Sequence, residues 1–113
     1  MKPPYPEVET EWVQAEDIRA AFNEALVWDK VLSKEYHIAH TRRRPMRSPE
    51  SSGQPPGTLN EHIWIVDGDG KFVAHAHRFL RTLEPEQLAR RPDPKRLVVG
   101  DKMLAVLATH RVE

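Results

Sequence analysis

The chain has 113 residues, no cysteine, 39% hydrophobic and 30% charged residues, and a formal net charge of zero. This length and balance predict one folded domain with a modest core held by packing alone. The lack of cysteine excludes a disulfide framework and a cysteine-ligated zinc site, and the composition suits a globular protein better than a disordered chain. The neutral total hides an asymmetry: residues 1–41 carry 4 Lys/Arg against 8 Asp/Glu, and residues 42–113 carry 13 against 9. An acidic first third can pair with the basic remainder or leave a basic patch for an anionic partner. Overall neutrality speaks against a dedicated, high-affinity nucleic-acid binder. The opening Met1-Lys2-Pro3-Pro4-Tyr5-Pro6 lacks the apolar stretch of a secretory signal, and no run approaches a membrane span. The expectation is a cytoplasmic protein without a membrane partner.

Residues 1–11 are Pro-rich and acidic and read as an extended, frayed lead-in. Over residues 15–33, Ile18, Phe22, Ala25, Trp28 and Leu32 recur at three- and four-residue steps, which predicts a helix with one apolar stripe. Val27 and Val31 fall off that stripe and either widen it or mark a break. Residues 35–44 predict a strand with Tyr36, Ile38 and His40 on one face and His37, Ala39 and Thr41 on the other. In residues 45–60, Pro, Gly and Ser fill 9 of 16 positions, which predicts a long loop.

The strongest signal is a hairpin of strands 61–66 and 71–80 around Asp67-Gly68-Asp69-Gly70, residues that tolerate the positive φ a tight turn needs. Pairing Val66 with Lys71 sets His62 opposite His75 and Trp64 opposite Val73. Ile63, Ile65, Phe72, Ala74 and Ala76 then share the core face, and His62, Trp64, His75 and His77 the other. Thr82 caps a short helix over 83–90, ended by Arg91-Pro92-Asp93-Pro94. A second hairpin pairs 97–99 with 102–107 across Gly100-Asp101. The fold class expected is α+β: one main N-terminal helix packed on an antiparallel sheet of four or five strands, with a short second helix.

Three stretches, Ser48-Pro49-Glu50-x-Ser52-Gly53-x-Pro55, His77-Arg78-Phe79-Leu80-Arg81 and Arg91-Pro92-Asp93-Pro94-Lys95, follow the helix carrying Trp28 and Asp29. In this order the chain resembles a group of small bacterial proteins of no assigned function, over roughly residues 15–107. That group more often has a Pro-Asp-Gly turn where Thr82-Leu83-Glu84-Pro85 stands here. The resemblance implies a bacterial, cytoplasmic protein and carries no activity, cofactor or site.

Three sets of residues bear on chemistry. His62, His75 and His77 share a hairpin face at spacings that can ligate a first-row metal, and equally suit polar positions on a solvated sheet. His37, His40 and His77 with Arg44, Arg78 and Arg81 are candidates for acid–base cleavage of RNA, histidine moving the proton and arginine holding the phosphate. The run Arg42-Arg43-Arg44-Pro45-Met46-Arg47 offers phosphate contacts, with Trp64 or Tyr36 as a stacking surface, or is simply solvated. The Asp67-Gly68-Asp69-Gly70 turn is no calcium loop, because Arg78 stands where the closing glutamate would be. The reading is a small accessory or binding protein, non-enzymatic and without a cofactor. It would engage a protein, an anionic macromolecule or a second copy through the 45–60 loop and the outer hairpin face. A toxin-like ribonuclease and a His-ligated metal protein are the alternatives.

Overall fold

The computed structural model describes residues 2–107. Six strands form one mixed sheet: β1 (Glu9–Val13), β2 (His37–Pro45), β3 (Leu59–Val66), β4 (Phe72–Leu80), β5 (Asp93–Val99) and β6 (Lys102–Val106). Their order is β1-β6-β5-β4-β3-β2. Strands β2 to β6 make an antiparallel meander, and β1 lies parallel to β6, Glu9 beside Lys102 and Val13 beside Val106. The helices are short: α1 (Ala15–Glu24), α2 (Val27–Leu32) and α3 (Pro85–Leu88), with a 3-10 turn over Pro49–Ser52. The expectation of one main helix on an antiparallel sheet of four or five strands is thus overturned on both counts. The lead-in contributes a sixth, parallel strand, and the main helix is broken in two. No helix among the described residues is long and apolar enough to cross a membrane.

The helix breaks at Leu26, which adopts a left-handed conformation with φ 56°. That turn redirects the chain so that Val27 and Trp28 join Ile18 and Phe22 in the core, while Ala25 and Leu32 of the expected stripe are exposed. The four buried side chains pack on Ile63, Ile65, Ala74 and Leu97 of the sheet. Full burial of a side chain such as Phe22 or Ile18 stabilises by about 1.5–3 kcal/mol. Trp28 Nε1 donates to the Ala89 carbonyl at 3.0 Å, and Arg19 and Arg91 reach Asp93 and Asn23. The Arg91–Asp93 stretch therefore ties the helical layer to the start of β5.

The hairpin forms with its faces largely as expected and its register moved by two. His62 lies opposite His77 and Trp64 opposite His75, because the connection runs from Asp67 to Lys71. Asp67 Oδ1 accepts from the amides of Asp69 and Lys71, both at 2.9 Å, and Gly70 takes a φ of +82°. A shift of two preserves side-chain parity, so Ile63, Ile65, Ala74 and Ala76 remain on the helix-facing side. Phe72 does not: a register shift between Ile65 and Val66 turns it to the other face, against Trp64 and Met103. A second irregularity, between Ile38 and His40, sets Ile38 opposite Ile65 and His40 opposite Trp64, so these two do not share a face as expected. The helix expected over 83–90 contracts to α3, and the loop expected over 45–60 loses its ends to β2 and β3. The second hairpin turns at Gly100, φ +62°, as its glycine requires.

Candidate functional site

The sheet face away from the helices collects most of the residues that carry chemistry. Strand alternation brings Arg42 and Arg44 of β2, Asn60, His62 and Trp64 of β3, and His75, His77 and Phe79 of β4 to this side. The register shift that brings His40 opposite Trp64 adds its ring, 5.2 Å from the indole. Arg96 of β5 lies opposite His75.

At the centre the rings form a stack. Trp64 and His75 lie nearly parallel at 4.5 Å and His75 and His62 stack at 5.1 Å, while His77 is tilted by 52° against His62 at 4.9 Å and Phe79 is edge-on to His77. His62 Nδ1 and His75 Nε2 are 2.9 Å apart and share one proton in a hydrogen bond, while His77 Nε2 donates to Asn60 Oδ1 at 3.0 Å. Trp64 is only 2% exposed, and its Nε1 is buried with no hydrogen-bond partner among the described residues. Lys2 Nζ lies 5.4 Å and Arg42 Cζ 5.8 Å from its ring centre, within cation–π range.

The electrostatics of this face are one-sided. Burial, then His62 and the cations Arg96, Lys2 and Arg42, push His75 down to about 3. Burial, His62 and Lys95 push His77 down to about 4 against the weaker pull of Asp93 and Glu61. His62 is lowered by burial and by Arg42 and Lys95. All three imidazoles are neutral at pH 7, beside the cations Lys2, Arg42, Lys95 and Arg96. A metal dication placed among them would face the same cations. Among the described residues no group of three or more His, Asp or Glu converges on a metal position; the ring nitrogens of His62 and His75 point at each other, and His77 points at Asn60.

The remaining sequence candidates are dispersed. His37 is exposed at the start of β2, opposite Val66. Arg47 is exposed beyond the end of β2, and Arg81 is exposed beyond β4, donating to Gln54 Oε1 at 3.2 Å. Tyr36 packs toward the helix-side core beneath Lys30. Arg43 and Arg78 point to the helix side, where both guanidinium groups clamp Glu61, a carboxylate 1% exposed. Arg78 also donates to the Arg90 carbonyl and lies over the Trp28 ring. This ion triad joins β2, β3, β4 and the α3 connection, and its position marks it as structural. The arginine run is therefore split by strand parity: Arg42 and Arg44 on the ring face, Arg43 in the triad. Asn60, Phe79, Lys95, Arg96 and Lys2 were not among the sequence candidates. For Asn60 and Phe79 the signal was present in the i, i+2 spacing from His62 and His77.

The chain matches no family model, no curated protein and no solved structure.

Proposed function

We propose that this protein binds single-stranded nucleic acid along the sheet face that lies away from the helices. The observation that carries the reading is a stack of neutral aromatic and imidazole rings ringed by Lys2, Arg42, Lys95 and Arg96. Arg44, opposite Asn60, extends the cationic border. Cations that track a phosphate backbone, beside rings on which bases stack, are the two elements of strand binding without a groove-reading helix. The neutral net charge is compatible with this, because the charges are sorted by layer. Residues 15–35, which contain α1 and α2, carry 5 acids against 3 bases, and the border of the ring face is basic. Partly buried His77 and Phe79 at the Asn60 end offer the accessible ring edges.

The test is fluorescence anisotropy with a labelled eight-nucleotide oligothymidylate and its RNA counterpart over a salt series. Affinity should fall with salt, with a logarithmic slope of about −0.7 per phosphate contacted. Arg42→Ala/Arg44→Ala should weaken binding and flatten that slope by roughly 1.4, the share of two contacts. Absence of binding at low salt, or an unchanged slope in the double variant, would sink the reading.

A further inference from the structure

The segment 2–8 crosses the ring face before entering β1, and a cavity of about 600 Å³ lies beneath it. Its walls include Pro3, Tyr5 and Pro6 of the segment, Phe72 of β4, Val98 of β5 and the turn residue Lys71. That volume falls in the range of pockets that take small organic ligands, roughly 300–1,000 Å³. Two aromatic rings meet there: Tyr5 and Phe72 lie edge to face at 5.1 Å. Arg96 stands 4.6 Å from the centre of the Tyr5 ring. Phe72 also belongs to one buried cluster with Trp64 and Met103, so the cavity adjoins the ring stack directly. Among the described residues, no turn, loop or side-chain hydrogen bond involves residues 2–8. Ring and cation contacts, through Lys2 and Tyr5, hold the segment on the sheet.

We infer that this cavity is a stacking subsite for one nucleobase, the terminal base of a strand whose phosphates follow Arg42 and Arg96. This deepens the proposed function and rests on it. The occupant follows from the walls. Tyr5, Phe72 and the prolines present flat apolar surface to a planar ring, and Lys71 and Arg96 supply positive charge for the phosphate attached to it. Lys71 stands in the cavity wall and is exposed, and Arg96 lies just outside it over the Tyr5 ring, so the positive charge sits at the mouth, where the phosphate of a stacked base would reach it. The segment 2–6 is then half of the binding site, and Tyr5 is the ring that closes over the base.

Two measurements separate this inference from the reading beneath it. The first is an NMR titration with adenosine monophosphate. The Tyr5 and Phe72 ring signals and the Val98 methyls should shift together and saturably. If they stay in place while other signals move, the subsite is refuted whatever the oligonucleotide does. The second is anisotropy with the eight-nucleotide strand and with one whose end carries abasic residues. Tyr5→Ala should weaken binding of the intact strand roughly 5- to 140-fold, the loss expected for one stacked base. Tyr5→Phe should restore it, and the abasic strand should not distinguish the variants. If Tyr5→Ala is neutral while Arg42→Ala/Arg44→Ala weakens binding, the face binds the strand and the cavity does not. If removal of residues 2–6 tightens binding, the segment is a cover competing with the strand, and the inference is overturned.

Discussion

Replacing Glu61 by alanine tests how the ring face is held in place. Its two carboxylate oxygens accept from Arg43 and Arg78, and the side chains of Glu61 and Arg78 are 1% and 5% exposed. Removing the carboxylate leaves the Arg78 charge buried with the Arg90 carbonyl and the Trp28 ring as its remaining contacts among the described residues. Breaking a buried pair from one side costs about 3–5 kcal/mol. The surviving carbonyl and ring contacts put Glu61→Ala near the lower end, about 3 kcal/mol. Arg43→Ala should cost far less, about 1 kcal/mol, because that guanidinium is 40% exposed and water can replace it. At roughly 4 °C per kcal/mol for a domain of this size, the two variants separate by about 8 °C in melting temperature. Replacing the pair together, Glu61→Leu/Arg78→Met, should recover most of the loss, since apolar side chains of similar volume need no counter-ion. Urea unfolding followed by far-UV circular dichroism gives the free energies. If Glu61→Ala is no worse than Arg43→Ala, or the double variant is worse than the single one, the triad is not the clamp described.

Two further outcomes follow from backbone and charge. Leu26→Gly should stabilise by up to about 1.5 kcal/mol: relief of the left-handed conformation, about 1–2 kcal/mol, offsets the added chain entropy of glycine, about 0.5–1 kcal/mol. A lower melting temperature in Leu26→Gly would mean that the exposed leucine contributes packing the geometry does not show. Because His62, His75 and His77 bind protons less readily folded than unfolded, their contribution to stability is complete above the unfolded value of about 6.5. It is lost as the pH falls from there toward about 4 for His77 and about 3 for His75. The urea midpoint should therefore drop between pH 7 and pH 5, and drop less in His75→Gln. An equal drop in both proteins contradicts the assignment.

The hairpin was legible because its alternation is strong and parity survives a register error of two; His62, Trp64, His75 and His77 share a face in either pairing. What parity cannot survive is a single inserted residue. The irregularities near Ala39 and Val66 moved His40 and Phe72 to the ring face, and nothing in their local composition announces them. Strand β1 escaped notice because its pairing with β6 joins distant parts of the chain, and because Glu9, Thr10 and Glu11 lie at a sheet edge with little apolar signal. Leu26 broke the helix against propensity, since burial of Val27 and Trp28 outweighs one unfavourable dihedral. Glu61 and Arg78 read as solvated residues in isolation, and only their pairing makes burial affordable. The site was half visible: its histidines and Trp64 stand out in the sequence, while the surrounding Lys2, Lys95 and Arg96 come from elements whose placement the sequence leaves open.

The three indole N–H signals offer the most direct test of the ring face as the binding surface. In a 15N-resolved titration with the eight-nucleotide strand, the buried Trp64 Nε1–H should shift. The Trp28 Nε1–H, donated to Ala89 on the helix side, should hold its position. A shift at Trp28 with Trp64 unmoved would place the strand on the other side of the sheet and contradict the account.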